Sequence, residues 1–256
     1  MEHTVLVAGA TAGFGEATAR RFLANGHKVI ALGEGIERLE LLKGSLPTEQ
    51  QKKLLTLVVD VCDSAKVDQL ASSLPTEFSQ VTILVNNADL ALDLELEQQA
   101  VASYRDQMVD TNIKGLVHMT RAFLPGMVER KRGHVINAGP MTSGDPHPGD
   151  NLFGGTKAFV KQFSLNLRAD VVGTPIRVTC IESGMGGGVE FSRTSIQGKG
   201  EKVEGVHARA QALTADNIAE AIFWSATLPS HVNINVLEVM PVQQASGPMK
   251  IHRGET

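Results

Sequence analysis

Aromatic side chains are scarce in this 256-residue chain: Tyr104 is its one tyrosine and Trp224 its one tryptophan. Chemistry that needs a phenol hydroxyl therefore has a single candidate. Cysteine is nearly absent as well, with Cys62 and Cys180 alone. Thiols so far apart read as buried free side chains in a reducing compartment, not as a disulfide framework or a metal pair. No His/Cys cluster has metal-ligand spacing, so no metal is expected. No run approaches the roughly 18 consecutive apolar residues of a membrane span. Met1-Glu2-His3 leads straight into an apolar run, which leaves no room for a signal peptide. An excess of positive charge is missing too: the formal net charge is −4, and no basic face calls for nucleic acid. These absences lead to the expectation of a cytoplasmic protein that engages neither membrane nor nucleic acid.

What is present is apolar sequence in a pattern. Hydrophobic residues make up 42% and charged residues 20%, enough to bury a core and too apolar for disorder. Short apolar runs at Thr4–Ala8, Lys28–Leu32, Leu54–Val61, Val81–Val85, His134–Ala138, Ile176–Ile181 and Ile234–Val239 read as strands. Between them lie helical patterns at Glu16–Asn25, Glu37–Leu46, Ser64–Leu74, Ala102–Arg130, Phe153–Val172 and Ala215–Leu228. Gly26 stands where a helix C-cap glycine belongs, and Asp63 where an N-cap belongs. Strand and helix in alternation, joined by right-handed crossovers, predict an α/β fold. The expected architecture is a Rossmann-type doubly wound parallel sheet of seven strands with helices on both faces. No boundary or repeat divides residues 1–256, which read as a single domain. The glycine-rich stretch from Gly184 is expected to form a mobile loop to about residue 205. The tail 243–256 reads equally as a docking arm or a frayed end.

The first strand runs into GATAGFG, with Gly9, Gly13 and Gly15, and a helix opens there. Such a turn lets a pyrophosphate approach backbone N–H groups at a helix N-terminus. Added to it are Asn86-Asn87-Ala88 after the fourth strand, Asp110-Thr111-Asn112 on the long helix and Thr156-Lys157 on the next. With these motifs in order over nearly the whole chain, the sequence resembles the short-chain dehydrogenase/reductase family. Within it, the segments ATAGFGE, LPGMVER, GTKAFVKQFSLNLR and LPSHVNIN are similar to those of bacterial NADP-dependent 3-hydroxy acid (L-allo-threonine, serine) dehydrogenases.

The resemblance implies roles for particular residues. Asp60 would lie by the adenine of a dinucleotide, and Asn86 and Ala88 would line its ribose and the sheet edge. NADP-specific members carry arginines just after the second strand, where this chain has Glu34-Gly35. A carboxylate at Glu34 repels a 2′-phosphate and can accept from a bare ribose hydroxyl, so NAD is favoured over NADP. As a solvated loop residue, Glu34 would do neither. Asp89 stands where the family has glycine, adding bulk and negative charge beside an anionic cofactor. The family's first-turn threonine is Ala8 here, its proline after the sixth strand is Ser183, and its threonine near the nicotinamide amide is Val189. Weak or absent NAD(P) binding is the expectation.

At the catalytic end, the family uses a tyrosine as proton donor and a lysine four residues on. A serine thirteen residues before the tyrosine holds the substrate oxygen, and an asparagine completes a relay. Lys157 and Asn112 are present, but Phe153 stands at the tyrosine position and Pro140 at the serine position. Tyr104 precedes Asn112 on another helix and is no substitute. The intervening loop offers Thr142, Ser143, Asp145, His147 and Asp150. His147 could act as a replacement acid/base, or the loop is polar only because surface loops are.

Three functional readings follow. The first is a non-catalytic homologue that has lost standard hydride transfer, acting as a subunit beside an active paralogue or as a ligand-binding pseudoenzyme. The second is cofactor-independent lyase, isomerase or aldol chemistry on a small hydroxy or amino acid. The third is NAD(P)-dependent oxidation of 3-hydroxy acids by an altered route. Assembly as a homotetramer, or as a heterotetramer with an active paralogue, is expected from the resemblance.

Overall fold

Seven parallel strands form one sheet in the order β3-β2-β1-β4-β5-β6-β7. The computed structural model describes residues 2–92, 96–140, 149, 151–184 and 211–244. Strand β1 (Thr4–Ala8) is followed by helix α1 (Gly13–Ala24), β2 (Lys28–Gly33), α2 (Ile36–Gly44), the short α3 (Thr48–Gln51) and β3 (Leu54–Val58). The chain then crosses back through α4 (Ser64–Ser73) to β4 (Ile83–Asn86), which pairs with the other side of β1. Helix α5 (Ala102–Val109), a π-helical turn (Asp110–Gly115) and α6 (Leu116–Glu129) lead to β5 (Gly133–Pro140). Helix α7 (Asn151–Asp170), β6 (Ile176–Ser183), α8 (Ala215–Thr227) and β7 (Val236–Val239) complete the sheet.

The reversal of direction at β1 is what creates a crevice. Crossovers from β1 run one way to β2 and β3, and those from β4 the other way, so the strand ends part between β1 and β4. Apolar side chains alternate to the two faces and build two cores. Val5, Val7, Val29, Ile83 and Ile136 pack against α1 and α8 through Phe22, Leu23, Ile218 and Ile222. Leu6, Ile30, Leu84, Val135 and Val178 pack against α4, α6 and α7 through Val67, Met119, Phe123 and Leu167. Strands covered on both faces have no need of polar alternation, which is why they read as continuous apolar runs.

Several expected boundaries shift, for physical reasons. Strand β3 stops at Val58, not Val61, because its partner β2 ends at Gly33 and the ladder has nothing left to pair with. The long helix expected over Ala102–Arg130 is interrupted by the π turn that carries Asn112. Helix α1 begins at Gly13, three residues earlier than expected, so its first turn lies within the glycine-rich segment. The expected loop 184–205 and tail 243–256 fall almost wholly outside the described residues.

Candidate functional site

The turn after β1 is shaped by steric necessity. Gly9 has φ of +77°, and a Cβ there would lie 2.8 Å from the backbone of Ala88. A Cβ on Gly15 would lie 2.0 Å from the Gly9 carbonyl oxygen. Both glycines are therefore needed for the turn to close. Gly13 differs: its φ is +54° and its Cβ position faces open space. Ala12 provides no side-chain cap, so the first N–H groups of α1 are left for another acceptor. Asn87 Nδ2 donates to the Gly9 carbonyl at 3.2 Å and ties the turn to the end of β4. Asn87, quoted above only as part of the motif after the fourth strand, thus has a structural role.

Asn86 serves the frame. It is 4% exposed, and its Nδ2 donates to Asn137 Oδ1 at 2.8 Å and Thr120 Oγ1 at 3.1 Å. Asn137 in turn donates to Ser164 on α7 at 2.8 Å. The network stitches β4, β5, α6 and α7 together beneath the crevice, and Asn86 Oδ1 has no partner among the described residues. Asp60 is exposed, and its Oδ1 accepts from the Cys62 backbone at 2.8 Å. Glu34 is exposed just past the end of β2. One turn further, on α2, lies the exposed Arg38, a cation that the sequence reading did not consider.

The buried side of the candidate site centres on Lys157. This side chain is 6% exposed, and its Nζ forms an ion pair with Asp89 Oδ1, itself 12% exposed. The Asp89 carboxylate is thus met by the Lys157 ammonium. Lys157 Nζ also stands 5.0 Å from the centroid of the Phe153 ring, within cation–π range. Gly139 leaves room for it, because a Cβ there would lie 3.0 Å from Nζ.

Asn112 fixes the segment that bears Asp89. Its Oδ1 accepts from the Leu90 N–H at 2.8 Å, and its Nδ2 donates to the Leu90 carbonyl at 2.9 Å. The same Nδ2 reaches Thr156 Oγ1 at 3.2 Å. The side chain gets there from the π turn, an irregularity often found at functional sites. Phe153 is 3% exposed and packs with Ala91, Leu92 and Met108. Position 153 thus adds an apolar wall and brings no hydroxyl. Pro140 ends β5, and its register partner is Ser183 of β6. Ser183 Oγ lies 3.5 Å from the Gly139 carbonyl, so a hydroxyl is present at the strand end where Pro140 has none.

His147, Asp145, Asp150, Thr142, Ser143 and Val189 lie outside the described residues. Cys62 and Cys180 are free thiols, and burial raises Cys180 to about 11. Among the described residues, no three His, Cys, Asp or Glu side chains could share a metal ion. No helix among them is long and apolar enough to cross a membrane.

Comparison with known proteins gives this geometry a context. Residues 3–196 match the family model described as short chain dehydrogenase. A relative from Salmonella typhi, named NADP-dependent 3-hydroxy acid dehydrogenase YdfG, is 51% identical over 97% of this chain and 99% of its own. A serine 3-dehydrogenase from Agrobacterium fabrum is 41% identical over 99% of each chain. Among solved structures, the closed form of a serine dehydrogenase complexed with NADP+ superposes with a TM-score of 0.93. It is 50% identical, over 98% of this chain and 99% of that one.

These relatives overturn three expectations. Loss of standard hydride transfer, negligible dehydrogenase activity, and weak or NAD-favouring cofactor binding were inferred by counting substitutions one at a time. Full-length relatives sharing half of the sequence are named as NADP-dependent dehydrogenases, and one is solved with NADP+. Such a count takes no account of contacts made in space, such as the Lys157–Asp89 ion pair. The chain belongs to the short-chain dehydrogenase family.

Proposed function

We propose that this chain is an NADP-dependent oxidoreductase of 3-hydroxy acids in which Lys157, held by Asp89, exchanges the proton with the substrate oxygen. The reading rests above all on the full-length similarity to the 3-hydroxy acid dehydrogenase relatives, combined with a buried ammonium at the mouth of the crevice. The residues present fit a dinucleotide. The open side of Gly13 and the uncapped start of α1 offer N–H groups to a pyrophosphate. Arg38, exposed beside the end of β2, is the residue assigned to the 2′-phosphate.

When bound, the nicotinamide dinucleotide supplies or takes the hydride. The chain handles the proton and the oxygen. In ketone reduction the Lys157 ammonium gives its proton to the developing alkoxide, and in alcohol oxidation the neutral amine takes it back. Asp89 holds Nζ in place and balances its charge. Asn112 keeps Asp89 in register by gripping Leu90 from both backbone sides. The Phe153 ring keeps water from one face of Nζ.

The test is turnover of L-serine and 3-hydroxypropionate with NADP+ and NAD+, alongside NADPH binding followed by fluorescence. The reading expects turnover with NADP+ and weaker NADPH binding in Arg38→Ala, with NADH binding unchanged. Absence of turnover with both cofactors would overturn it. Assembly as a homotetramer belongs to the same proposal, and light scattering reads it directly.

A further inference from the structure

At the opposite end of the strands from the crevice, a groove of about 490 Å3 lies between the end of α7, the start of β6 and the segment after α8. Its lining includes Arg168, Arg177, His231, Ser230, Thr174 and Asn233 and, among the described residues, no carboxylate. Its size is within the range of small-molecule sites.

Three of the polar side chains are committed to the fold: Thr174, whose Oγ1 donates to the Val171 carbonyl at 2.7 Å, Arg177 and Asn233. Arg177 Nη1 and Nη2 donate to the carbonyls of Ser225 and Ala226 at 2.9 and 2.6 Å, meeting the exposed acceptors at the end of α8. Asn233 exchanges two hydrogen bonds with the backbone of Val178, at 2.8 and 2.9 Å. Arg168 is different. The residue is half-buried, and its Nη1 is shielded from solvent with no hydrogen-bond partner among the described residues. A desolvated guanidinium donor left unpaired is costly, and a negatively charged acceptor relieves that cost best. Asp170, two residues along α7, is exposed and forms no ion pair with Arg168 among the described residues. The groove therefore combines two guanidinium groups, an imidazole and a free serine hydroxyl with no acid to neutralise them.

We propose that this groove is a second ligand site, for a small multiply charged oxyanion, separate from the dinucleotide crevice. The guanidinium of Arg168 turns to take two oxygens, with His231 and Ser230 closing over the third. Arg177, fixed by α8, supplies charge without moving.

The probes are inorganic phosphate and citrate, titrated calorimetrically into the full chain at constant ionic strength against sodium chloride. The expected result is saturable binding of at least one of them. That binding weakens tenfold or more in Arg168→Gln and in His231→Ala, and is unchanged in Arg38→Ala, which lies at the other end of the sheet. NADPH binding is the same in parent, Arg168→Gln and His231→Ala. If Arg168→Gln does not fold, Ser230→Tyr, which fills the groove, must abolish the heat instead. Heats no larger than those of chloride would overturn the proposal. So would binding that survives both groove substitutions, or binding lost in Arg38→Ala.

Discussion

Lys157 and Phe153 stand one helical turn apart on α7, and the proposed chemistry divides between them. Removing the ammonium by Lys157→Met should lower turnover by ~10²-fold or more, the usual scale for a lost acid/base group. NADPH binding should change far less than turnover; equal losses in both would make Lys157 a binding residue only. Phe153→Tyr is the complementary change. It brings a hydroxyl toward Nζ, and the rate should rise, by up to about 10²-fold, if a phenol is the better donor. An unchanged rate would mean that the proton already moves as fast as the site needs. What sequence alone revealed here was the inventory: the missing phenol at 153 and the surviving Lys157 and Asn112. It did not reveal that Asp89, 68 residues from Lys157 in the chain, is its partner. Nothing in local pattern or spacing encodes a contact between the end of β4 and the middle of α7. Read alone, Asp89 looked like damage. Placed beside Lys157, it is a counter-charge.

The elements around the site carry its precision. The π turn exists so that Asn112 can reach the Leu90 backbone, and Asn112→Ala would leave both Leu90 groups unpaired. About 1 kcal/mol of stability should be lost for those half-buried groups, with turnover falling as Asp89 loosens. Chemical denaturation and steady-state rates on the same sample read the two together. Gly139→Ala separates them. Its Cβ would press on the tip of a flexible lysine and not on backbone, so stability should hold while turnover falls. A loss of stability without a loss of rate would show that Gly139 serves packing alone.

Strand and helix order was legible at this scale because doubly covered strands are apolar throughout and helices are amphipathic. The π turn was not, because a one-residue bulge leaves helical periodicity almost intact.

At the scale of the whole molecule, the two ends of the sheet have different characters. The carboxyl ends hold the crevice. The amino ends hold a buried basic and imidazole cluster, with His134 fully enclosed and His3 beside Arg132. Burial, then the nearby Arg132 and His27 charges, lowers His3 to about 4; burial also holds His134 well below its ordinary range. Both histidines are therefore neutral when folded and free to take protons when unfolded. Stability is complete above an ordinary histidine value of 6.5 and falls as pH drops from there toward about 4. Urea midpoints at about pH 7 and pH 5 should differ accordingly, and identical midpoints would show that these histidines keep ordinary affinities when folded.

The topology that opens a crevice at β1 and β4 could be foreseen from alternating strands and helices, as could the glycine turn. The basic groove could not, because Arg168, Arg177 and His231 come from three separate elements and share no motif.

The central claim is that hydride chemistry persists with Lys157 in charge of the proton. It is tested most directly by following NADPH oxidation by a 3-oxo acid with the parent chain and with Lys157→Met. The account predicts turnover in the parent and its near-complete loss in the variant, with NADPH still bound. A parent chain that binds NADPH and turns over no 3-oxo acid would contradict it, as would a variant as active as the parent.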